Sequence, residues 1–182
     1  AYSASIGPFY EVVIIRELFD IYLKAAEILG ISDELCLRVK AAIKALPPFK
    51  TGKNGELKEW SHDFEAKDPQ HRHTSHLLAL YPFSQITADD TPELANAAKI
   101  TISSRMNPPE NWEDTGWARC MLMLYSARLK DAESAINHIH TLQMKLTNNN
   151  LMVKHPPTTP APSFANVYQL DVNTAYTACI AE

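Results

Sequence analysis

The feature of the sequence that most constrains its fold is a run of apolar residues at helical spacing, from Phe9 to Leu29. Apolar side chains recur there at steps of three and four residues, while charged residues fill the other faces, as in an amphipathic helix. Gly30 is predicted to end this helix, and Ser32 to cap a second helix that ends at Pro47-Pro48. Because the connection is very short, the two helices are predicted to form an antiparallel hairpin.

The rest of the chain repeats this alternation of helices and polar loops. Further helices are predicted from Thr91 to Met106, from Trp117 to Lys130, from Asp131 to Thr147 and from near Thr174 onward, with a short helix at Ser75–Tyr81. Between them, Phe49–Gln70 contains a predicted tight turn at Asn54-Gly55, and Leu151–Tyr168 is a second long loop. No strand-rich region competes with this pattern. The sequence therefore predicts an all-α fold with helices in antiparallel pairs.

Composition excludes several classes of function. Hydrophobic residues make up 46% and charged residues 21%, as in ordinary globular proteins, and the net charge of −4 gives no basic surface for nucleic acid or anionic membranes. No apolar run approaches the roughly 18 residues that cross a bilayer, and the first residues do not resemble a signal peptide. Cys36, Cys120 and Cys179 are widely spaced and are predicted to be free thiols within helices.

The densest group of functional side chains lies within Asp68–Pro82, where an arginine stands among three histidines. His71, His73 and His76 could together bind a metal ion, although their spacing is not that of a metalloprotease helix. Individual histidines, His76 above all, could instead satisfy backbone carbonyl groups.

Two further interpretations of this group involve its polar neighbours. Thr74 or Ser75 could act as a nucleophile beside a histidine, but the strained glycine turn that such sites use is missing. Arg72 and His73 could alternatively donate hydrogen bonds to sugar hydroxyls, with an aromatic side chain covering an apolar face of the ring.

Glycoside cleavage also requires carboxylates near such a pocket, and each candidate has a structural alternative. Glu59 beside Trp60 could be only a solvated loop charge, and Asp171 could be a helix cap. Trp117 could belong to the core, and Arg119 is predicted to form a structural salt bridge.

Taken together, a series of motifs resembles glycoside hydrolase family 95, the inverting α-L-fucosidases. The matching blocks, in the order of the family, are Gly7-Pro8 with Ile14–Phe19, Leu46–Pro48, Gly52–Trp60, Asp68–Leu77, Tyr81-Pro82, Thr115–Arg119, His155–Pro157 and Gln169–Asn173. They extend over essentially the whole chain, so that residues 1–182 resemble the later part of one catalytic domain.

The resemblance implies an (α/α)6 barrel, a toroid of helix hairpins whose loops form the active site at one end. It implies that Asp171 is catalytic and activates an asparagine that positions the attacking water, and that Arg72 and His73 contact the fucose hydroxyls. The asparagine and the general acid, a glutamate, are expected in the part of the domain that precedes this chain. Glu59, Trp60 and Trp117 are expected to line the pocket, and Asn173 is a further candidate for substrate binding.

The expected partners are then a fucosylated oligosaccharide, most simply α-1,2-linked, and the rest of the catalytic domain, with no cofactor, metal, nucleic acid or membrane. The family suggests a secreted or periplasmic enzyme. Where the family usually has glycine, this chain has Val172 and Ala175, and the added Cβ atoms are expected to narrow the site. The alternative function is a non-enzymatic helical-repeat module that binds glycan or protein, although the unequal loops argue against a fixed repeat.

Overall fold

The computed structural model describes residues 7–64, 66–156 and 167–182, and all structural statements below concern these residues. They form six α-helices: α1 (Phe9–Ile28), α2 (Glu34–Ala45), α3 (Pro92–Arg105), α4 (Gly116–Arg128), α5 (Ala132–Thr141) and α6 (Leu170–Ala181). Short 3-10 helices occupy Ser75–Ala79 and Pro109–Asn111, and a π-helical turn, Leu142–Leu146, extends α5. Within the described ranges extended pairing is limited to isolated bridges, which confirms the all-α class.

The helix pairs predicted from the sequence are present. Tyr22 of α1 lies 3.8 Å (Oη to Sγ) from Cys36 of α2, while Arg16 reaches the carbonyl of Pro47, so the two helices run antiparallel. Gly30 in the connection has φ +67°, the left-handed conformation that ends many helices. The cap prediction at Ser32 is wrong, because the Asp33 carboxylate accepts the hydrogen bond from the Cys36 amide at 2.9 Å.

Helix α4 is the central helix of the described structure. It packs against α5, which follows it directly, in the antiparallel direction. It packs parallel to α6, since Gly116 lies against Val172 near the starts of α4 and α6, and Arg128 pairs with Glu182 near the ends of these two helices. One face of α4 joins a core that includes Leu77, Leu80 and Tyr125. Another face joins a second core, which consists of Cys120, Met123, Leu124, Leu142, Leu146, Val153, Val172 and Cys179.

The first of the two predicted long loops contains the tight turn that the sequence predicts. Gly55 has φ +84° in the turn at Asn54-Gly55, and Thr51 forms a bridge with Leu57. The central part of the proline-rich loop, residues 157–166, and the first six residues, where the sequence shows no signal peptide, lie outside the described residues. Of the described helices, none is both long and apolar enough to span a membrane.

Helix α6 begins earlier than the sequence predicts. Its first residue is Leu170 rather than Thr174, and Gln169 occupies the N-cap position without a side-chain cap. Asp171 is therefore the second residue of the helix, and the interpretation of this residue as a cap is wrong. All three cysteines are free thiols within helices, as predicted, and all three are buried.

Candidate functional site

The predicted site residues gather at one end of the molecule. The Phe9 amide at the start of α1 donates to the Glu59 carbonyl at 2.8 Å, and the Glu59 side chain pairs with Arg105 at the end of α3. The start of α4 packs against Gln169, which precedes α6. We call this end, where α1, α4 and α6 begin and α3 ends, the loop end.

Arg72 is fixed at the loop end by a carboxylate. Its guanidinium forms an ion pair with Glu113 in the segment before α4, and both side chains are about three-quarters buried. Because guanidinium is planar and always charged, this pairing fixes the direction of its remaining N–H donors. Glu113 was not predicted from the sequence, and the only signal for it is its position two residues before Thr115 in a matching block.

His73 and His71 stand side by side in the same loop. The His71 Nδ1 atom accepts a hydrogen bond from the His73 backbone amide at 3.1 Å, and the two rings meet edge to face, 4.9 Å between centroids. Although His73 is exposed overall, partial desolvation of its ring, followed by the charges of Arg72 and His71, lowers the pKa of His73. His73 is consequently a neutral donor or acceptor at neutral pH, while His71 supports the shape of the loop.

His76 is buried in the wall behind Glu59. Its Nδ1 atom lies 3.8 Å from the Glu59 carboxylate, and it has no hydrogen-bond partner among the described residues. Burial, followed by the charge of Arg105, lowers the pKa of His76 to about 3, so the ring is neutral and this contact is not an ion pair. The prediction that His76 satisfies a backbone carbonyl is therefore wrong for this nitrogen.

A cavity of about 570 Å³ opens in front of these groups, a volume typical of ligand pockets. Its lining includes Glu59, Trp60, Phe64, His76 and Arg105. Of the predicted site residues, only Glu59 and Trp60 contribute to this lining. Neither the Arg72–Glu113 pair nor the start of α6 belongs to it.

A second cavity, of about 580 Å³, lies beside α1 and contains none of the predicted site residues. Its charges are mixed, since Arg16 and Lys24 line it together with Glu17 and Asp20.

Asp171 is exposed in the first turn of α6, and the next residue, Val172, is completely buried. The side chain of Val172 thus belongs to the second core and does not narrow a pocket. This corrects the expectation that a valine at this position, where the family usually has glycine, would narrow the site. Helix α4 brings Gly116 against this turn so closely that an added Cβ would lie 3.0 Å from Val172 and 2.7 Å from Val153.

Trp117 and Asn173 flank this turn and have different surroundings. Trp117 is 40% exposed, so its assignment to the core is wrong and its ring is accessible at the loop end. The Asn173 amide is bound to backbone: its oxygen accepts from Val153 N at 3.1 Å, and its nitrogen donates to Leu151 O at 3.2 Å.

Arg119 forms the structural salt bridge predicted for it. Its guanidinium is buried, binds Asp114 through two N–H groups, and donates to His138 Nδ1 at 2.9 Å. Burial and the neighbouring Arg119 lower the pKa of His138 to about 4. This network fixes the segment that also carries Glu113.

The three arginines of the loop end share one property. Arg72, Arg105 and Arg119 are each paired with a carboxylate, from Glu113, Glu59 and Asp114 respectively. The positive charges of these three side chains are therefore compensated locally by carboxylates. In the part of the chain that the structure describes, no group of three or more His, Cys, Asp or Glu side chains is placed to bind a metal ion.

Comparison with known proteins gives a consistent result over the full length. The model of the "Glycosyl hydrolase family 95 catalytic domain" matches residues 1–182. Alpha-L-fucosidase 2 of Arabidopsis thaliana is 34% identical over 192 residues, covering 99% of this chain and 21% of the relative. Probable alpha-fucosidase A of Aspergillus oryzae is 25% identical over 178 residues, covering 92% of this chain and 24% of the relative. The chain thus spans about a fifth to a quarter of the length of these two relatives.

Proposed function

Because the chain belongs to the glycosyl hydrolase family 95 catalytic domain, we propose that it is part of an enzyme that hydrolyses terminal α-L-fucosides. The match over residues 1–182 carries this proposal, and it is supported by two relatives that are named as fucosidases. The substrate is a fucosylated oligosaccharide with an α-1,2 linkage, and the reaction inverts the anomeric configuration.

Asp171 has the catalytic role in this proposal. Inverting hydrolysis needs one group that protonates the leaving oxygen and one that activates a water molecule on the opposite face of the sugar. Asp171 acts on the second step, through an asparagine from another part of the domain that holds the water. Its exposure in the first turn of α6 supports this role, since the carboxylate is available to a group that approaches from outside this chain.

Arg72 and His73 bind the terminal sugar. The ion pair with Glu113 holds Arg72 in place before substrate arrives, so binding does not have to order a flexible side chain. The accessible ring of Trp117 provides an apolar surface nearby, on the helix that begins beside Asp171.

The remainder of the catalytic domain completes the site. We propose that the helix hairpins described above form the later part of an (α/α)6 toroid, and that the starts of α1, α4 and α6 at one end reflect this arrangement. The general acid and the water-binding asparagine then belong to the earlier part.

Turnover of an aryl α-L-fucoside tests the proposal. The longer enzyme that contains this chain is expected to release the phenol, and NMR of the first product is expected to show β-L-fucose, the inverted anomer. The 182-residue chain alone is expected to be nearly inactive, because it lacks the acid and the asparagine. Absence of turnover by the longer enzyme on α-L-fucosides, or rapid turnover by the chain alone, would contradict it.

A further inference from the structure

Two of the three free cysteines lie in contact with each other where α4 packs against α6. The Sγ atom of Cys179 is 3.5 Å from the backbone oxygen of Cys120, and the Sγ atom of Cys120 is 3.7 Å from the backbone oxygen of Val172. The two thiols are also hydrogen-bonded to each other. The side chain of each cysteine therefore reaches the helix that carries the other.

Contacts on both sides of this pair hold α4 and α6 close together. Toward the starts of the helices, Gly116 leaves so little space that an added Cβ would lie 3.0 Å from Val172. Toward their ends, Arg128 forms an ion pair with Glu182. A disulfide requires Cα atoms within about 7 Å of each other. Facing residues of helices packed about 8–10 Å apart meet this requirement, since each Cα lies about 2.3 Å from its own axis.

The third cysteine, Cys36, is also buried but has different neighbours. Its thiol lies 3.8 Å from the backbone oxygen of Ile31 and 3.8 Å from the hydroxyl of Tyr22, in the hairpin of α1 and α2. All three cysteines of the sequence lie within the described ranges, so this chain offers Cys36 no further thiol. Cys36 is therefore an internal reference for a buried thiol outside the pair.

The two thiols of the pair differ in reactivity. Cys120 is completely buried, whereas Cys179 is 8% exposed and precedes Ile180, which is 60% exposed. The hydrogen bond between the thiols, followed by burial, raises the pKa of Cys120, and the same hydrogen bond lowers the pKa of Cys179. Because the thiolate is the attacking species in disulfide exchange, Cys179 is the cysteine that reacts first.

We propose that Cys120 and Cys179 form a modification site, at which a small-molecule disulfide such as oxidised glutathione converts the two thiols to an intramolecular disulfide between α4 and α6. The Cys179 thiolate attacks one sulfur of the oxidant, so that a mixed disulfide forms and one glutathione thiolate leaves. Cys120 then loses its proton, attacks the Sγ atom of Cys179 and displaces the second glutathione. Two protein thiols are thereby oxidised, one oxidant disulfide is reduced to two thiols, and the two cysteine protons pass to the released glutathione.

Peptide mapping of the longer enzyme tests this proposal. The folded enzyme is incubated with oxidised glutathione and quenched with acid, its remaining thiols are alkylated, and its tryptic peptides are identified by mass spectrometry. The peptide that begins at Cys120, directly after Arg119, is expected to be linked to the peptide that contains Cys179. Dithiothreitol is expected to release both peptides, and Cys36 is expected to be linked to neither.

Serine variants test the order of the two steps, since serine keeps a hydrogen-bond donor at each position. Cys120→Ser is expected to accumulate the mixed disulfide at Cys179, because the thiol that would displace glutathione is missing. Cys179→Ser is expected to leave Cys120 as a free thiol. Cys36→Ser is the matched control and is expected to form the Cys120–Cys179 link like the wild type.

The wild-type enzyme decides the proposal even where a variant does not fold. Failure of the folded enzyme to form the link would overturn it, as would a link that forms only after unfolding in urea. A mixed disulfide that persists at Cys179 in the wild type would also overturn it, because Cys120 would then be unable to complete the exchange. None of these outcomes depends on turnover of α-L-fucosides, so this proposal and the proposed function succeed or fail separately.

Discussion

The guanidinium of Arg72 is held by the carboxylate of Glu113, which lies 41 residues further along the chain. The pair connects the histidine-rich loop to the segment before α4, and the Asp114–Arg119 pair fixes that segment to the helix. Glu113 is therefore a positioning residue for Arg72 in the proposed enzyme.

Substitution of Glu113 by glutamine tests this relationship in the longer enzyme. Glutamine keeps the shape but removes the charge, so Arg72 is expected to adopt several orientations and substrate binding is expected to weaken. We expect KM for an aryl α-L-fucoside to rise about tenfold, the equivalent of roughly 1.4 kcal/mol, with a smaller effect on kcat.

Glu110→Gln, at an exposed position three residues earlier, is the matched control and is expected to keep the wild-type KM. A loss confined to kcat in Glu113→Gln would assign that residue to the chemical step instead of to positioning.

Substitution of Asp171 by asparagine tests whether this residue contributes to the chemical step rather than to the stability of the fold. Because Asp171 is exposed in the first turn of α6, loss of its charge removes only a favourable helix-dipole interaction of up to about 1 kcal/mol. The longer enzyme is expected to lose several orders of magnitude in kcat, measured with an aryl α-L-fucoside, while its urea midpoint changes little. Glu133→Gln removes a carboxylate from the first turn of α5 and should preserve kcat. Near-normal rates in Asp171→Asn would exclude the residue from the mechanism.

Apolar periodicity was sufficient to predict that α1 is a helix, although Ile15 and Leu18 of its apolar stripe are exposed in the described structure. It failed at the start of α6, where the helix includes β-branched Val172 and Asn173, residues with low helix propensity. Tertiary contacts stabilise that turn, since Val172 is buried against Gly116 and the Asn173 amide binds the backbone near Val153. Such contacts join residues that are distant in sequence, so a local pattern does not reveal them.

For the candidate site, too, the sequence predicted the residue types but not their long-range contacts. The residue types in the Asp68–Pro82 stretch indicated a polar pocket, but the partners of Arg72 and Glu59 lie 41 and 46 residues away. The placement of Glu59 and Trp60 in a cavity apart from Arg72 likewise depends on the packing of α1 and α3, which no single motif encodes.

Gly116→Ala tests the close contact between α4 and α6. The added Cβ would lie 2.7 Å from Val153 Cγ1 and 3.0 Å from Val172 Cγ1, and both valines are almost completely buried and cannot move freely. Overpacking of this kind costs about 1–3 kcal/mol, which urea unfolding of the chain would measure. At Gly52 a Cβ would meet only an ordinary contact at 3.7 Å, so Gly52→Ala is expected to be close to neutral. Equal stability of the two variants would refute the contact.

The burial of His76 predicts a specific loss of stability in mild acid. Its pKa is about 3 in the folded chain and 6.5 in the unfolded reference, so the unfolded state alone binds a proton between these values. This contribution to stability is complete above pH 6.5 and falls as the pH decreases toward 3.

At pH 5 the loss due to His76 is expected to be about 2 kcal/mol relative to pH 7.5, from 1.36 kcal/mol per pH unit. Urea unfolding at the two pH values measures it, and His76→Gln is expected to reduce the difference by that amount even if its stability is lower at both. His140→Gln, at an exposed position on α5, is expected to retain the wild-type difference. If His76→Gln also retains it, burial does not lower the pKa of His76 in the folded chain.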